Sequence, residues 1–394
     1  MKRERAVAKS KRPPSPATLR RLFLLRPDVV FLNHGSFGAC PRQVFDVYQR
    51  WQLELERQPV EFLHYRFKDL MQEAREALAG FLGVDAGDVV YVTNATTGLN
   101  IVARSLALGP GDEILTTDHE YGALDKTWRF ICERQGARYV QARLPLPLES
   151  PDQVIDGVWA RRTPKTRVLF LSHITSPTAL TFPVETLVRR AREAGILTII
   201  DGAHAPGHIP LNLGTLGADF YAGNCHKWMC APKGSGFLYA RREVQSLLAP
   251  LVVSWGWPSG FIDEQQRQGT RDIAAFLAVP AAIDFLRRHN WTAVRRACHA
   301  VARTARARLL AAGRMEPLSA DSPRWYAQMV SVPVPLADAE RARTRLWQEF
   351  NIEAPITAWN GRCLVRASIQ GYNTPADVDA LVTAVARLIA EEER

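Results

Sequence analysis

The chain has no run long and apolar enough to span a bilayer, which excludes a helical membrane protein and argues against a membrane partner. It has only six cysteines in 394 residues: Cys40, Cys132, Cys225, Cys230, Cys298 and Cys363. They are scattered, which excludes a disulfide framework and points to a reducing, cytoplasmic compartment. Cys225, His226 and Cys230 stand close together, but no second cluster supplies a fourth zinc ligand, so no metal is expected. Internal repeats are absent, which excludes a repeat architecture. Balanced charge is missing at one end only. The formal net charge is +10, yet residues 1–21 (MKRERAVAKSKRPPSPATLRR) hold eight Lys or Arg against one Glu. The body is close to neutral, so nucleic acid is not expected as its partner. The arm is expected to be solvated and disordered, with an anion-binding arm as the sharper alternative. It lacks the apolar core and cleavage site of a secretory signal, and its prolines argue against the amphipathic helix of a transit peptide.

What is present is an alternation of short β-branched runs and amphipathic stretches between about residues 80 and 240. DVVYVTN leads into ATTGLNIVARSLA, DEILTTDHEYG into ALDKTWRFICERQG, and RVLFLSHITS into VETLVRRAREAG, before ILTIIDGAH and ADFYAGNCHKW. Strands alternating with helices imply βαβ units and a mostly parallel sheet. GSGFLYAR reads as a further strand without a crossover, and so as antiparallel. After residue 270, two helical stretches (274–289 and 293–312), two strands (328–335 and 361–373) and a closing helix (376–393) fit a smaller α+β unit. The expected organisation is an α/β chain with the arm at 1–21, a large domain at 22–280 whose N-terminal segment contributes to the small domain, and a small C-terminal domain at 281–394.

The polar residues fall where such a sheet binds ligands, at the C-terminal ends of its strands. Asn94, Thr96 and Thr97 follow the first strand, Asp118, His119 and Tyr121 the second, His173 to Ser176 the third, Asp201 and His204 the fourth, and His226 and Lys227 the fifth. Asp201 ends an almost wholly apolar strand, where a carboxylate is expensive unless a cation or donors meet it. NATTGLN sets hydroxyls and amides at a helix N-terminus, a ready anion site. A carbonyl-trapping lysine, a carboxylate for a protonated ring nitrogen and a phosphate cradle are together the needs of pyridoxal 5′-phosphate (PLP).

IIDGAHAPG followed by GNCHKW and PKGSGFLY resembles the class V aminotransferase group of PLP enzymes of fold type I. FLNHGSFGACP, SHITSPTAL, QGTRD and VRASIQGYN narrow the likeness to the isopenicillin N epimerase-like branch, from about residue 30 to the C-terminus. The resemblance implies a seven-stranded, mostly parallel sheet in the large domain. It implies that Lys227 binds the cofactor's aldehyde, that Asp201 pairs with the ring nitrogen and that His204 lies near the phenolic oxygen. Thr96, Thr97 and His226 would hold the phosphate, with Thr270 reaching it from a second copy in a homodimer. Thr270 also reads as the N-cap of a helix beginning TRDIAAF. His119 or Tyr121 would stack on the ring. Arg366 would take the substrate α-carboxylate, a buried structural arginine being the alternative. Asn33, His34 and Ser36 would line the substrate side, and Trp255 and Trp257 would wall it.

Two departures bear on the reaction. His173 stands where desulfurases of the group have Asn. Cys363 lies three residues before Arg366 in an apparent strand, a poor place for a persulfide-forming cysteine. Persulfide chemistry is thereby disfavoured, and the activity the resemblance implies is removal of the Cα proton of an amino acid or short peptide by Lys227, with epimerisation as the outcome and His119 or Tyr121 as second acid. A C–S lyase or an aminotransferase is the alternative. A non-enzyme that uses the basic arm on an acidic partner is the rival from another class.

Overall fold

The computed structural model describes residues 13–392. A two-residue strand, β1 (Val30–Phe31), precedes the seven strands of the main sheet: β2 (Val89–Val92), β3 (Glu113–Thr117), β4 (Arg138–Ala142), β5 (Thr166–Ser172), β6 (Leu197–Asp201), β7 (Phe220–Asn224) and β8 (Gly236–Ala240). Their order is β2-β8-β7-β6-β5-β3-β4. All neighbours are parallel except those of β8, which runs antiparallel to both β2 and β7. Side chains alternate between two apolar layers, as a pleated strand requires. Val89 and Tyr91 enter one core and Val90 and Val92 the other, while Ile199 and Ile200 divide in the same way. A sheet covered on both faces explains the near-continuous apolar runs of β2, β6 and β7.

Local signals start the helices. Asn94 caps the Ala95–Ser105 helix by accepting the Thr97 N–H at 2.9 Å. Ser150 and Gln153 form a reciprocal capping box on the Pro151–Trp159 helix. The remaining strands are β9 (Met329–Val334), β10 (Ile352–Glu353), β11 (Ile356–Trp359) and β12 (Arg362–Ser368). The last two join β9 in a three-stranded antiparallel sheet of order β11-β12-β9, packed on the Trp291–Gly313 helix. The parallel pair β1 and β10 and a bridge between Asn33 and Ser368 tie the N-terminal segment to this C-terminal sheet. Residues 31–38 therefore reach the main sheet's ligand end from the opposite side.

Four expectations need correction. Residues 1–12 lie outside the described residues, but the disordered reading fails for 13–21: Pro16–Arg20 is a helix capped by Ser15, and its Leu19 is buried against Gly371. The apolar Leu19 anchors what composition made look like free arm. The stretch 274–289 is two helices, Ala274–Leu277 and Val279–Arg288, because Pro280 has no N–H to continue the first and suits the opening turn of the second. Thr270 is no N-cap. It lies on an exposed loop; Ile273 holds the N-cap position, and Asp272 just before it accepts the Ala274 N–H at 2.7 Å. The edge strand β4 escaped the pattern reading because only one of its five residues is buried. Among the described residues no helix is long and apolar enough to cross a membrane.

Candidate active site

Lys227 sits in the loop between β7 and β8, and that loop is held from below. The His34 ring donates from Nε2 to the Lys227 carbonyl at 3.1 Å and meets the Tyr372 hydroxyl through Nδ1 at 2.9 Å. Gly38 faces the same loop with φ +69, and a Cβ there would come within 1.8 Å of the His226 carbonyl oxygen. The FLNHGSFG segment thus shapes the backbone that carries the amine. Burial, with Arg366 adding to it, lowers the Lys227 pKa to about 8, and Asp201 opposes the fall.

The proton on His204 can be placed by elimination. The Trp228 indole N–H, which can only donate, points to His204 Nδ1 at 3.3 Å. Burial keeps this imidazole neutral, its pKa falling well below the usual value, so its single proton is on Nε2. Nε2 lies 3.3 Å from Lys227 Nζ, and a hydrogen bond between them requires the amine to accept. Trp228 is itself fixed by stacking on His208 at 3.9 Å. His208 donates to the His204 carbonyl at 2.9 Å and accepts the Gln328 N–H at 2.8 Å. The free amine is thus favoured by hydrogen-bond polarity as well as by burial.

Two cavity lobes meet at Lys227. The inner lobe, about 470 Å³, is lined by Thr96 and Thr97 at the helix start and by Asp201, Asn224 and His226 at strand ends. Asp201 is buried, accepts the Ala203 N–H at 2.8 Å, and has its pKa raised by burial against the opposing effects of that amide and Lys227. A protonated ring nitrogen would supply the cation that this burial calls for. Asn224 Oδ1 accepts the Ala95 N–H at 2.9 Å and so locks the helix start to β7. His226 stays neutral, lowered to about 4 by burial, and donates from Nδ1 to the Ser235 carbonyl at 3.0 Å. An amine, a buried carboxyl and a helix N-terminus in one lobe fit PLP.

The outer lobe, about 540 Å³, contains Arg366 on β12. This guanidinium is only 7% exposed. It donates to the Ser176 carbonyl at 2.7 Å and to Ser36 Oγ at 2.9 Å, while its Nε has no hydrogen-bond partner. Burial lowers its pKa to about 10. Ser36 donates in turn to Asn33, whose amide donates to Glu353 at 2.9 Å. A buried arginine held by neutral oxygens is set up for an incoming carboxylate.

Other expected residues divide. Tyr121, 44% exposed, lines both lobes. His119 does not: it is buried at the rear, bonded to Thr178 at 2.8 Å and packed against Phe182 and Trp359. His34 lies beneath the Lys227 loop and lines neither lobe. His173 turns to the Tyr221 hydroxyl at 3.0 Å. Trp255 is 91% exposed, and neither it nor Trp257 walls a lobe. Ser176, read with the polar residues that follow the third strand, lines both lobes, whereas sequence reasoning passed over Asn224, although that residue follows a strand whose other polar residues it used. It also passed over Glu120, a buried carboxyl pushed up to about 8 that accepts from Thr117 and from the amide and hydroxyl of Ser172.

The sequence profile described as aminotransferase class-V matches residues 38–381. Isopenicillin N epimerase of Amycolatopsis lactamdurans is 37% identical over 391 residues, covering 94% of this chain and 98% of that protein. L-cysteine desulfhydrase of Arabidopsis thaliana is 28% identical over 404 residues, covering 92% and 88%. Among solved structures, a lysine-to-alanine variant of C-DES with glycine covalently linked to its PLP cofactor superposes with a TM-score of 0.79 at 23% identity, covering 95% of this chain and 99% of that one.

Proposed function

The chain belongs to the class-V aminotransferase family, is an enzyme with PLP as its cofactor, and from that premise we propose that it epimerises the α-carbon of an amino acid or short peptide. The reading rests on one observation above the others: Lys227 and Tyr121, two groups able to carry a proton, both line the junction of the two lobes.

Lys227 would hold the aldehyde until the substrate amine displaces it, Asp201 would meet the ring nitrogen, and His204 Nε2–H would be the donor for the phenolic oxygen. Thr96, Thr97 and His226 hold the phosphate at the helix start. When bound, the cofactor supplies an electron sink for the pair left behind when Cα loses its proton. Arg366 binds the substrate carboxylate through its paired N–H groups, and Ser36 and Ser176 keep the fork in place. Once displaced by the substrate amine, Lys227 Nζ removes the Cα proton, which its lowered pKa suits it to do near neutral pH. Tyr121 Oη returns a proton to Cα, in place of the equally considered His119, whose position behind the lobe removes it from contact. Tyr121 is likewise the residue that covers the ring.

The second reading is C–S bond cleavage, favoured by the desulfhydrase relative. It shares the first proton transfer and differs in the loss of a β-sulfur. Persulfide chemistry on an enzyme cysteine has little support, since all six cysteines are buried and burial raises the Cys363 thiol pKa. These free thiols support a cytoplasmic location.

The active form is a homodimer in which Thr270 reaches the partner's phosphate site. The exposed apolar run Leu251, Val252, Val253 and Trp255, close in the chain to Thr270, supports this. A monomer at micromolar concentration by light scattering would remove it. The domain division at about residue 280 is part of the same reading.

Proton NMR of the PLP-loaded enzyme in deuterated water, with L-amino acids, cysteine conjugates and aminoadipyl peptides, tests the reaction. Exchange at Cα with appearance of the D-form and no keto acid is expected. Pyruvate, ammonia or a released thiol would replace epimerisation with lysis, and a keto acid with retained sulfur would indicate transamination.

A further inference from the structure

Three contacts join the C-terminal sheet to the loop that carries Tyr121. The Trp359 indole N–H donates to the Asp118 carbonyl at 2.9 Å, and the Asn360 amide donates to Asp118 Oδ2 at 2.7 Å. The Trp359 ring also lies 4.6 Å from the His119 ring, centre to centre. Asp118 stands three residues before Tyr121, between the end of β3 and the Gly122–Gln135 helix.

Trp359 and Asn360 belong to the tip of a hairpin built to hold its shape. Trp359 at the end of β11 pairs with Arg362 at the start of β12, so the connection is only Asn360 and Gly361. Both have positive φ, +47 and +74, as in the type I′ turn that Asn-Gly favours. Farther along β12 stands Arg366, paired with Ser331 on β9. One hairpin therefore carries the arginine at one end and the contacts on Asp118 at the other.

Tyr121 is 44% exposed, so its place depends on the backbone of its loop more than on packing. That loop is tied at His119 to Thr178 and at Glu120 to Ser172. Asp118 meets its own sheet through longer bonds, 3.2 Å from its N–H to the Ala142 carbonyl and 3.4 Å from the Leu144 N–H to Oδ1. The bonds from the hairpin are shorter. Trp359 is half-buried and Asn360 exposed, and neither belongs to an apolar core. What their contacts fix is where the tyrosine's loop sits relative to Arg366. Such placement matters to chemistry, because a reacting group displaced by about 1 Å can cost on the order of a hundredfold in rate.

We propose that Trp359 and Asn360 are positioning residues for Tyr121: by clasping Asp118 they set the tyrosine at the lobe junction from the same hairpin that carries Arg366. The inference rests on the reading above that Tyr121 returns a proton to Cα and covers the ring. It adds two residues, neither of which lines a lobe, to those on which the reaction depends.

The test uses PLP-loaded enzyme carrying 3-fluorotyrosine, with the Tyr121 fluorine line assigned by its loss in Tyr121→Phe. Alongside it are read the visible circular dichroism of the cofactor, and kcat and KM for solvent-deuterium exchange at Cα of the amino acid that wild type exchanges fastest. Asn360→Asp sets two carboxylates against each other, at a left-handed position that Asp tolerates. It should move the fluorine line, weaken the dichroism and lower kcat about tenfold, with KM within about twofold. Trp359→Phe keeps a ring beside His119 and loses the N–H, and should act in the same direction. The crossed pair Asp118→Asn with Asn360→Asp restores the hydrogen bond with donor and acceptor exchanged, and its new amide keeps an oxygen for the Leu144 N–H. It should return line, dichroism and kcat to near wild type. A line and dichroism unmoved by both single variants, or a crossed pair no better than Asn360→Asp alone, overturns the clasp. A lowered Tm with line, dichroism and kcat unchanged overturns it too, by making the contacts purely structural. Full exchange and D-form production in Tyr121→Phe overturns instead the reading of Tyr121 as second acid, while the fluorine line still decides the clasp.

Discussion

The lowered basicity of Lys227 can be tested on the apoenzyme, free of cofactor chemistry. A fall from the ordinary 10.5 to about 8 corresponds to roughly 3 kcal/mol in favour of the free amine. At pH 7.5 about a quarter of the amine is then unprotonated, against about one part in a thousand for an unperturbed lysine. Competitive labelling with trace acetic anhydride from pH 6 to 11, read by mass spectrometry of the Lys227 peptide, follows that titration site by site. The expected midpoint lies near 8. Two neighbours act in opposite directions: Arg366→Gln removes a repelling cation and should move the midpoint up toward 10.5, while Asp201→Asn removes an attracting carboxylate and should move it down. A wild-type midpoint at 10 or above, or one unmoved by Arg366→Gln, would refute the argument from burial and charge.

The same titration predicts how stability varies with pH. Lys227 has a depressed folded-state pKa, so below about 8 both folded and unfolded chains hold the proton and the folded state bears the whole cost of a buried charge. Lys227→Met apoenzyme should therefore gain about 1–3 kcal/mol over wild type at pH 7 by urea unfolding, and the gain should disappear as pH rises from 8 toward 10.5. Trp228→Phe leaves His204 Nδ1 without its donor, freeing the imidazole to move its proton there and to accept from a charged Lys227. The Lys227 midpoint should rise by the worth of about one hydrogen bond, ~1 kcal/mol, in the same labelling assay; an unchanged midpoint would remove His204 from the argument. Gly38→Ala sets a methyl on the His226 carbonyl at a left-handed backbone position, and should cost at least ~2 kcal/mol in denaturant unfolding together with PLP affinity. Loss of stability with unchanged PLP affinity would separate the FLNHGSFG segment from the lysine loop.

The site was legible in sequence where its chemistry follows a strand directly. Lys227, Asp201, Thr96 and Thr97 follow apolar runs whose strand character is plain, so their convergence at one sheet end follows from topology. Arg366 was legible through its motif, and its place beside Lys227 in one lobe depends on how β1 pairs with β10 and so joins the N-terminal segment to the C-terminal part of the chain. The orientation of histidines was not legible. His34 and His119 stand in the same motifs as residues that line the lobes, yet both are turned into the protein, His34 bonding Tyr372 and the Lys227 carbonyl through both ring nitrogens and His119 bonding Thr178 through Nδ1. Adjacent residues on a short turn point apart, and only packing decides which one meets the cavity. Arg343 and Trp347, which also line the outer lobe, carry no local signal at all, being spaced along the Ala339–Phe350 helix with many other charged residues. Their relation to the lobe comes from how that helix packs against β11. The edge strand β4 and the break at Pro280 were hidden for simpler reasons, a half-exposed pattern and an apolar periodicity that continues across the proline.

Catalysis in this cleft turns on one covalent attachment. Purified enzyme loaded with PLP, reduced with sodium borohydride and digested, should carry the phosphopyridoxyl mass on the peptide containing Lys227 and on no other. That label should vanish in Lys227→Ala and weaken in Asp201→Asn. A label on a different lysine, or none on an enzyme that still turns over amino acids, would contradict the assignment of this cleft as the catalytic centre.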